Sequence, residues 1–193
     1  MTEPSPEPRR MTISDPQVMR ALAHPARLAI MEHLSSLEGG ATATECAEIA
    51  ELSPSATSYH LRALAKFGLI EQAPSRGDAR ERVWRAFSPS YMVQAGPSAG
   101  SEATAAELAL VEAHTARQAQ RTRDWIRRAQ DESPEWYDAA WLSDTLLLLT
   151  AEELTTVNVA IQKLLNPYRK RMRVDPPPDA RSVAVQYRAI PID

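Results

Sequence analysis

The sequence is short of the residues on which many specialised scaffolds depend. Its 193 residues include one cysteine, Cys46, and a lone thiol excludes both an internal disulfide and a multi-cysteine zinc site. Only 6 glycines are present, few for a phosphate-cradling loop. No Gly-x-Ser-x-Gly elbow and no histidine-rich metal motif occurs. Long hydrophobic runs are missing too: the most apolar stretch, Leu146 to Leu149, is strand-sized, against the ~20 residues needed to cross a bilayer. The opening Met-Thr-Glu-Pro-Ser-Pro-Glu-Pro-Arg-Arg lacks the apolar core and cleavage site of a secretory signal. These absences predict a cytoplasmic protein with no membrane partner, no cofactor and no catalytic centre. Glu152, Glu153 and Asp144 are the acid/base candidates, but the first two belong to a helix start, where carboxylates favour the dipole.

Excess charge of one sign is also lacking, with 22 Lys+Arg against 25 Asp+Glu and a net −3. Nucleic-acid partners usually carry a basic footprint, so the total argues against one. Its distribution does not. From Pro54 to Tyr91 the cations Arg62, Lys66, Arg76, Arg80, Arg82 and Arg85 face the anions Glu71, Asp78 and Glu81, giving +3 and leaving −6 for the rest.

What is present is order along the chain. Residues 1–12, rich in Pro and charge, read as a disordered leader. Val18, Leu22, Leu28, Ile30, Met31 and Leu34 then recur near helical spacing, and Pro25 divides the run into two helices. Thr42-Ala-Thr-Glu45 fits a capping box opening a short helix with Cys46, Ile49 and Ala50 on its apolar face. Ser53 suits an N-cap and Pro54 a first helical position, with Ala56, Leu61, Leu64 and Phe67 as the stripe up to Gly68. Two helices so closely joined make a helix-turn-helix. After Gly68 the period switches to alternation, in Leu69 to Ala73 and Arg80 to Phe87, around a turn at 74–79, which is a β-hairpin.

A recognition helix presents short polar side chains near its N-terminus while its apolar face stays on the core. Ser53, Ser55, Thr57, Ser58, Tyr59 and Arg62 have that placement, with His60 and Arg62 further along, nearer phosphate. Arg76, Arg80 and Arg82 on the hairpin supply affinity without sequence preference. The constellation predicts binding to double-stranded DNA. A protein-interaction module is the alternative, since winged helices also pair proteins.

The runs Ala21-Leu-Ala-His-Pro-Ala-Arg-Leu-Ala-Ile-Met-Glu-His-Leu34 and Leu52-Ser-Pro-Ser-Ala-Thr-Ser-Tyr-His-Leu-Arg-Ala-Leu-Ala-Lys-Phe-Gly-Leu-Ile70 resemble the ArsR family of bacterial winged-helix transcriptional regulators, over residues 14–91. The resemblance implies a homodimer that reads a palindromic operator, in most cases as a repressor. Many relatives sense metals through a cysteine pair, but the matching positions hold Thr42 and Thr44, and Cys46 falls two residues later. His114 has no second histidine at helical spacing, and His24 and His33 read as structural. Metal sensing is therefore not expected.

Beyond a linker at 92–101, a long helix over about 102–129 carries a partly apolar stripe of Leu108, Val111, Thr115, Trp125 and Ala129. Leu149-Thr-Ala-Glu-Glu-Leu154 resembles a signature in the C-terminal extension of some bacterial winged-helix regulators, although its capping-box chemistry alone accounts for it. Leu146 to Leu149 and Ser182 to Ile190 read as strands that pair, flanking a helix from Thr150. Trp125, Trp136, Tyr137 and Trp141 are clustered, which suits a core or dimer interface, or the wall of a small-molecule effector pocket. The expected architecture is α+β and mainly helical. A winged helix-turn-helix at 13–91 precedes a helical/α-β dimerisation or effector region at 102–193.

Overall fold

The computed structural model describes residues 11–74, 82–173 and 175–192. It divides into two units between Ala116 and Arg117. The N-terminal unit opens with strand β1 (Met11–Ile13), which overlaps the last two residues of the segment whose composition suggests a leader through residue 12. β1 is ordered by pairing in parallel with β5 (Tyr91–Val93), Met11 opposite Tyr91 and Ile13 opposite Val93, and by burial of Ile13.

Helices α1 (Pro16–Leu22) and α2 (Pro25–Ser35) are separated where proline required it. Each has a side-chain cap: Asp15 Oδ1 accepts from Gln17 N at 2.7 Å, and His24 Nδ1 accepts from Ala26 N at 3.2 Å. Leu28, Ala29, Ile30, Met31 and Leu34 of α2 are all buried, so this helix runs through the middle of the core. α3 (Ala43–Ala50) begins with the expected reciprocal cap, Thr42 N donating to Glu45 Oε2 and Glu45 N to Thr42 Oγ1. After a three-residue turn ending in the Ser53 cap, α4 (Pro54–Lys66) follows.

A three-stranded antiparallel sheet completes the wing, in the order β2 (Ala41–Thr42), β4 (Val83–Ala86), β3 (Ile70–Ala73). The β3–β4 register sets Ile70 opposite Ala86 and Ala73 opposite Val83. Glu71 and Arg85 stand directly across from each other and form an ion pair at 2.6 Å, half exposed, so worth roughly 0.2–1 kcal/mol.

Helix α5 (Ser101–Arg128) is longer than the unit boundary allows to either unit alone. Its first half buries Ala106 and Leu110 in the N-terminal core, which places the boundary at 116/117 and not in the 92–101 linker. The face turned to the core is therefore Ala106, Leu110 and Ala113, while Leu108 and Val111 of the expected stripe are exposed.

In the C-terminal unit, the rest of α5 precedes α6 (Pro134–Ala139) and α7 (Ala151–Leu165), the latter opened by the expected capping box at Thr150 and Glu153. The strands expected at Leu146–Leu149 and Ser182–Ile190 do not form. Their apolar sequence is strand-like, but a strand is stabilised by an adjacent strand and a covered face. Within one chain both segments have neither. Among the described residues, no helix is long and apolar enough to cross a membrane.

Gly40 has φ +73, and a Cβ there would run into the Trp84 carbonyl where β2 meets β4. Gly68 has φ +67 but open space around it. Gly40→Ala is expected to lower stability by at least about 2 kcal/mol in chemical denaturation, and Gly68→Ala by only about 1–2 kcal/mol, the backbone penalty alone.

Candidate nucleic-acid interface

The orientation of α4 is set by its apolar positions. Leu61 and Leu64 are fully buried against the core, each burial contributing about 1.5–3 kcal/mol. With that face fixed, Ser55, Tyr59, Arg62 and Lys66 fall on the exposed side, with Ser58 half-exposed beside them. Tyr59 is 59% exposed although it is large and aromatic. Ser53 is exposed but its hydroxyl is engaged as the cap, accepting from Ala56 N at 3.3 Å.

Two residues expected at the interface are turned away from it. Thr57 is completely buried, and its hydroxyl donates to the Ser53 carbonyl at 3.0 Å. His60 is 8% exposed, and its ring lies 4.7 Å from that of His24 and 5.4 Å from that of Tyr59. Both sit on the same helical face as Leu61 and Leu64, three or four residues apart, and so serve packing. Burial, the neighbouring His24 and the Arg27 guanidinium all push the His60 pKa below the usual histidine value. Neutral His60 is the form that the fold accommodates.

Arg62 and Lys66 are joined by a residue from another helix. An open hollow of about 450 Å³ is lined by Arg27, Tyr59, Arg62, Ala63, Lys66 and Phe67. Arg27 reaches it from α2 while donating to the Ala21 carbonyl at 2.9 Å, and Lys66 Nζ lies 6.0 Å from the Phe67 ring centre. Three cations and no carboxylate on one rim suit an anionic backbone. Neither Arg27 nor Lys66 was singled out from sequence. Helical spacing puts Lys66 one turn beyond Arg62 and would have found it; Arg27 joins the group only through tertiary packing.

On the wing, Arg82 is exposed immediately before β4, and Arg85 is held by Glu71. Arg76 and Arg80, expected at the hairpin tip, lie outside the described residues.

The other candidate groups sit elsewhere. Cys46 is fully buried in the core, and burial together with Glu45 pushes its thiol up to about 12, so it stays protonated and inert. His114 Nε2 lies 3.1 Å from the Tyr91 hydroxyl. Trp125, Trp136, Tyr137 and Trp141 are not brought together as a pocket wall. Among the described residues no ring contact joins them. Trp125 lies under Arg128 at 5.7 Å, Trp136 lies under Arg181 at 4.6 Å, and Trp141 is 85% exposed.

A family model described as a helix-turn-helix domain matches residues 22–73, the span from the end of α1 to the end of β3. No curated protein matches the chain. Among solved structures, the YusO protein from Bacillus subtilis is 18% identical, with 78% of this chain and 80% of that one covered and a TM-score of 0.34. A zinc-responsive MarR family member, Lactococcus lactis ZitR, is 16% identical over 75% of each chain, with a TM-score of 0.33. At scores this low the superpositions carry no conclusion about function.

Because the folded chain disfavours a proton on His60, the unfolded chain binds it more readily once the pH falls through the usual value of 6.5. Stability is then fully present above that pH and declines below it. The fall in denaturation midpoint on acidification from about pH 7.5 to about 5.5 is expected to be shallower in His60→Phe than in the native chain.

Proposed function

We propose that the chain is a sequence-specific DNA-binding transcriptional regulator, with α4 as the recognition helix and the β3–β4 hairpin as the wing. The observation that carries this reading is the exposed face of α4, where Ser55, Ser58 and Tyr59 precede Arg62 and Lys66. Short polar groups stand where base edges would be met, and cations stand where phosphates would be. A helix of 13 residues is about 20 Å long and about 10–12 Å across, and the major groove is ~12 Å wide. The fit is geometric as well as chemical. The match of residues 22–73 to a helix-turn-helix domain supports the same reading.

Specificity argues for two copies. Three or four side chains of one recognition helix reach bases, each good contact being worth about 1–3 kcal/mol. Competition from about 10⁶ or more genomic sites requires roughly 8 kcal/mol of discrimination. Mid-range contacts on a single helix give roughly 7 kcal/mol, short of that figure, whereas two helices exceed it. The reading is therefore a homodimer on a palindromic operator, acting as a repressor in keeping with the resemblance to ArsR regulators. A small apolar effector in the C-terminal unit would act by changing the spacing of the two helices, although Trp125, Trp136, Tyr137 and Trp141 form no shared wall for it within one chain.

Pull-down sequencing of genomic DNA with the purified protein tests this by recovering a site with two half-sites. On that site Ser58→Ala and Tyr59→Ala are each expected to relax preference at particular positions by about 1–3 kcal/mol. Arg62→Ala and Lys66→Ala are expected to weaken binding to all sequences and to reduce the slope of log K against log salt by about 0.9 each. Absence of salt-sensitive binding to any recovered fragment would overturn the regulator reading.

A further inference from the structure

Of the residues lining the hollow beside α4, Arg27 alone comes from another helix. It stands at the third position of α2, the buried helix at the middle of the core, so its backbone is fixed relative to α4 by the packing of the two helices. Its guanidinium is fixed as well. Nη1 donates to the carbonyl of Ala21 at 2.9 Å, reaching back six residues across the break between α1 and α2. That bond uses one of the five N–H donors of an arginine and brings no opposite charge. Nε, buried, has no hydrogen-bond partner among the described residues. The side chain is therefore oriented by a neutral group while its charge stays uncompensated, which is the condition of a preorganised anion contact.

Arg62 and Lys66 bring the same condition from α4. Other arginines of the chain are matched to a carboxylate: Arg20 to Glu102 at 2.8 Å, Arg85 to Glu71 at 2.6 Å, Arg127 to Asp124 at 3.2 Å and Arg181 to Glu132 at 2.9 Å. Among the described residues, Arg27, Arg62 and Lys66 make no ion pair, although they share one hollow. Three like charges gathered there repel one another, and an anion between them relieves that repulsion. Position along α4 says which anion. At 1.5 Å per residue, Arg62 and Lys66 lie about 6 Å and about 12 Å beyond Ser58 along the helix axis, and the major groove is ~12 Å wide. A helix that enters by its N-terminus carries these two residues toward the edge of the groove, where the anion is a backbone phosphate.

We propose that this hollow seats one phosphate of the DNA backbone, and that Arg27 holds it from α2 while Arg62 and Lys66 converge on the same phosphate from α4. The inference rests on the DNA-binding reading and extends it, because the interface then includes a residue of the core helix. Its consequence is positional. Phosphate contacts fix orientation without reading sequence, and a contact anchored on α2 fixes the recognition helix against the duplex through the body of the domain. Arg62 and Lys66 stand on flexible stems that follow a phosphate over several angles of α4. The guanidinium held by Ala21 selects a narrower range.

The test uses the full chain on the operator recovered by pull-down sequencing, with single phosphates replaced one at a time by uncharged methylphosphonates. At one position the replacement is expected to weaken binding of the native chain about 10-fold or more, as loss of a charge-assisted hydrogen bond does. The same replacement is expected to cost Arg27→Gln, Arg62→Ala and Lys66→Ala at least about 3-fold less than it costs the native chain, since groups in contact couple. Arg27→Gln is expected to lower the slope of log K against log salt by about 0.9, and Arg27→Lys, which keeps the charge, to retain it. In the native chain the Arg27 Nε–H resonance is expected to shift on adding operator and to stay in place on adding operator neutral at that position, a readout that needs no variant. Weaker binding by Arg27→Gln with every methylphosphonate penalty unchanged makes Arg27 a structural residue and overturns the inference. So does coupling of Arg27 to a different phosphate from Arg62 and Lys66, or an Nε–H resonance that inorganic phosphate shifts as operator does at equal ionic strength, the mark of a free-anion site. In each of these cases salt-sensitive binding of the native chain to the operator leaves the regulator reading standing. Failure of the native chain to bind any genomic fragment overturns both.

Discussion

Leu61 and Leu64 fix the rotation of α4 about its own axis, and most of what the N-terminal unit can present to a partner depends on that rotation. Both are fully buried, against a core whose centre is α2. Replacing either by alanine removes about 2–5 kcal/mol of packing, a large share of the stability of a small domain. Because the helical period ties every other position to these two, the same burial hides Thr57 and His60 and exposes Ser55, Tyr59, Arg62 and Lys66. Burial chooses by elimination which side chains α4 exposes.

Local chemistry supports that choice from both ends of α4. Ser53 caps its start and Pro54 fills a position where no amide donor is needed, while Gly68, at φ +67, ends it and turns the chain into β3. The short turn after α3 is made by Glu51 in the left-handed region, φ 53, a conformation held by its amide donating to the carbonyls of Ala47 and Glu48. Arg27 belongs to the same arrangement: its α2 backbone lies in the core, and its guanidinium emerges beside Arg62 and Lys66. A basic rim built from two helices keeps its shape only as long as their packing does.

The sequence was most readable where a signal is local. Both capping boxes, the break at Pro25, the Ser53 cap and the wing hairpin depend on residues within a few positions of one another, and the structure has them all. It was least readable where an outcome depends on distant partners. Thr57 and His60 look like surface polar residues in a Ser/Thr-rich run, and only the phase of Leu61 and Leu64 shows that they point inward. Leu108 and Val111 look like the core face of α5 because they are larger than Ala106 and Ala113, but the helix is rotated so that Ala106 and Leu110 are the residues buried. The expected C-terminal strands, which do not form, show a different limit. Composition can suit a strand without supplying the neighbouring strand that would stabilise it.

Charge follows the same division of labour. The segment from Pro54 to Tyr91 carries +3 and the remainder −6. Within a Debye length of ~8–10 Å at ordinary ionic strength, a phosphate sees mainly the nearest cations, so the acidic remainder does not cancel the basic rim locally. At longer range it opposes indiscriminate adsorption of the rest of the chain to a polyanion. Binding governed by a few well-placed cations and short polar groups is weaker in its non-specific part, and the ratio of specific to non-specific affinity decides whether a site is found among many. For that ratio, a chain of net −3 with a small basic face is better suited than a uniformly basic one.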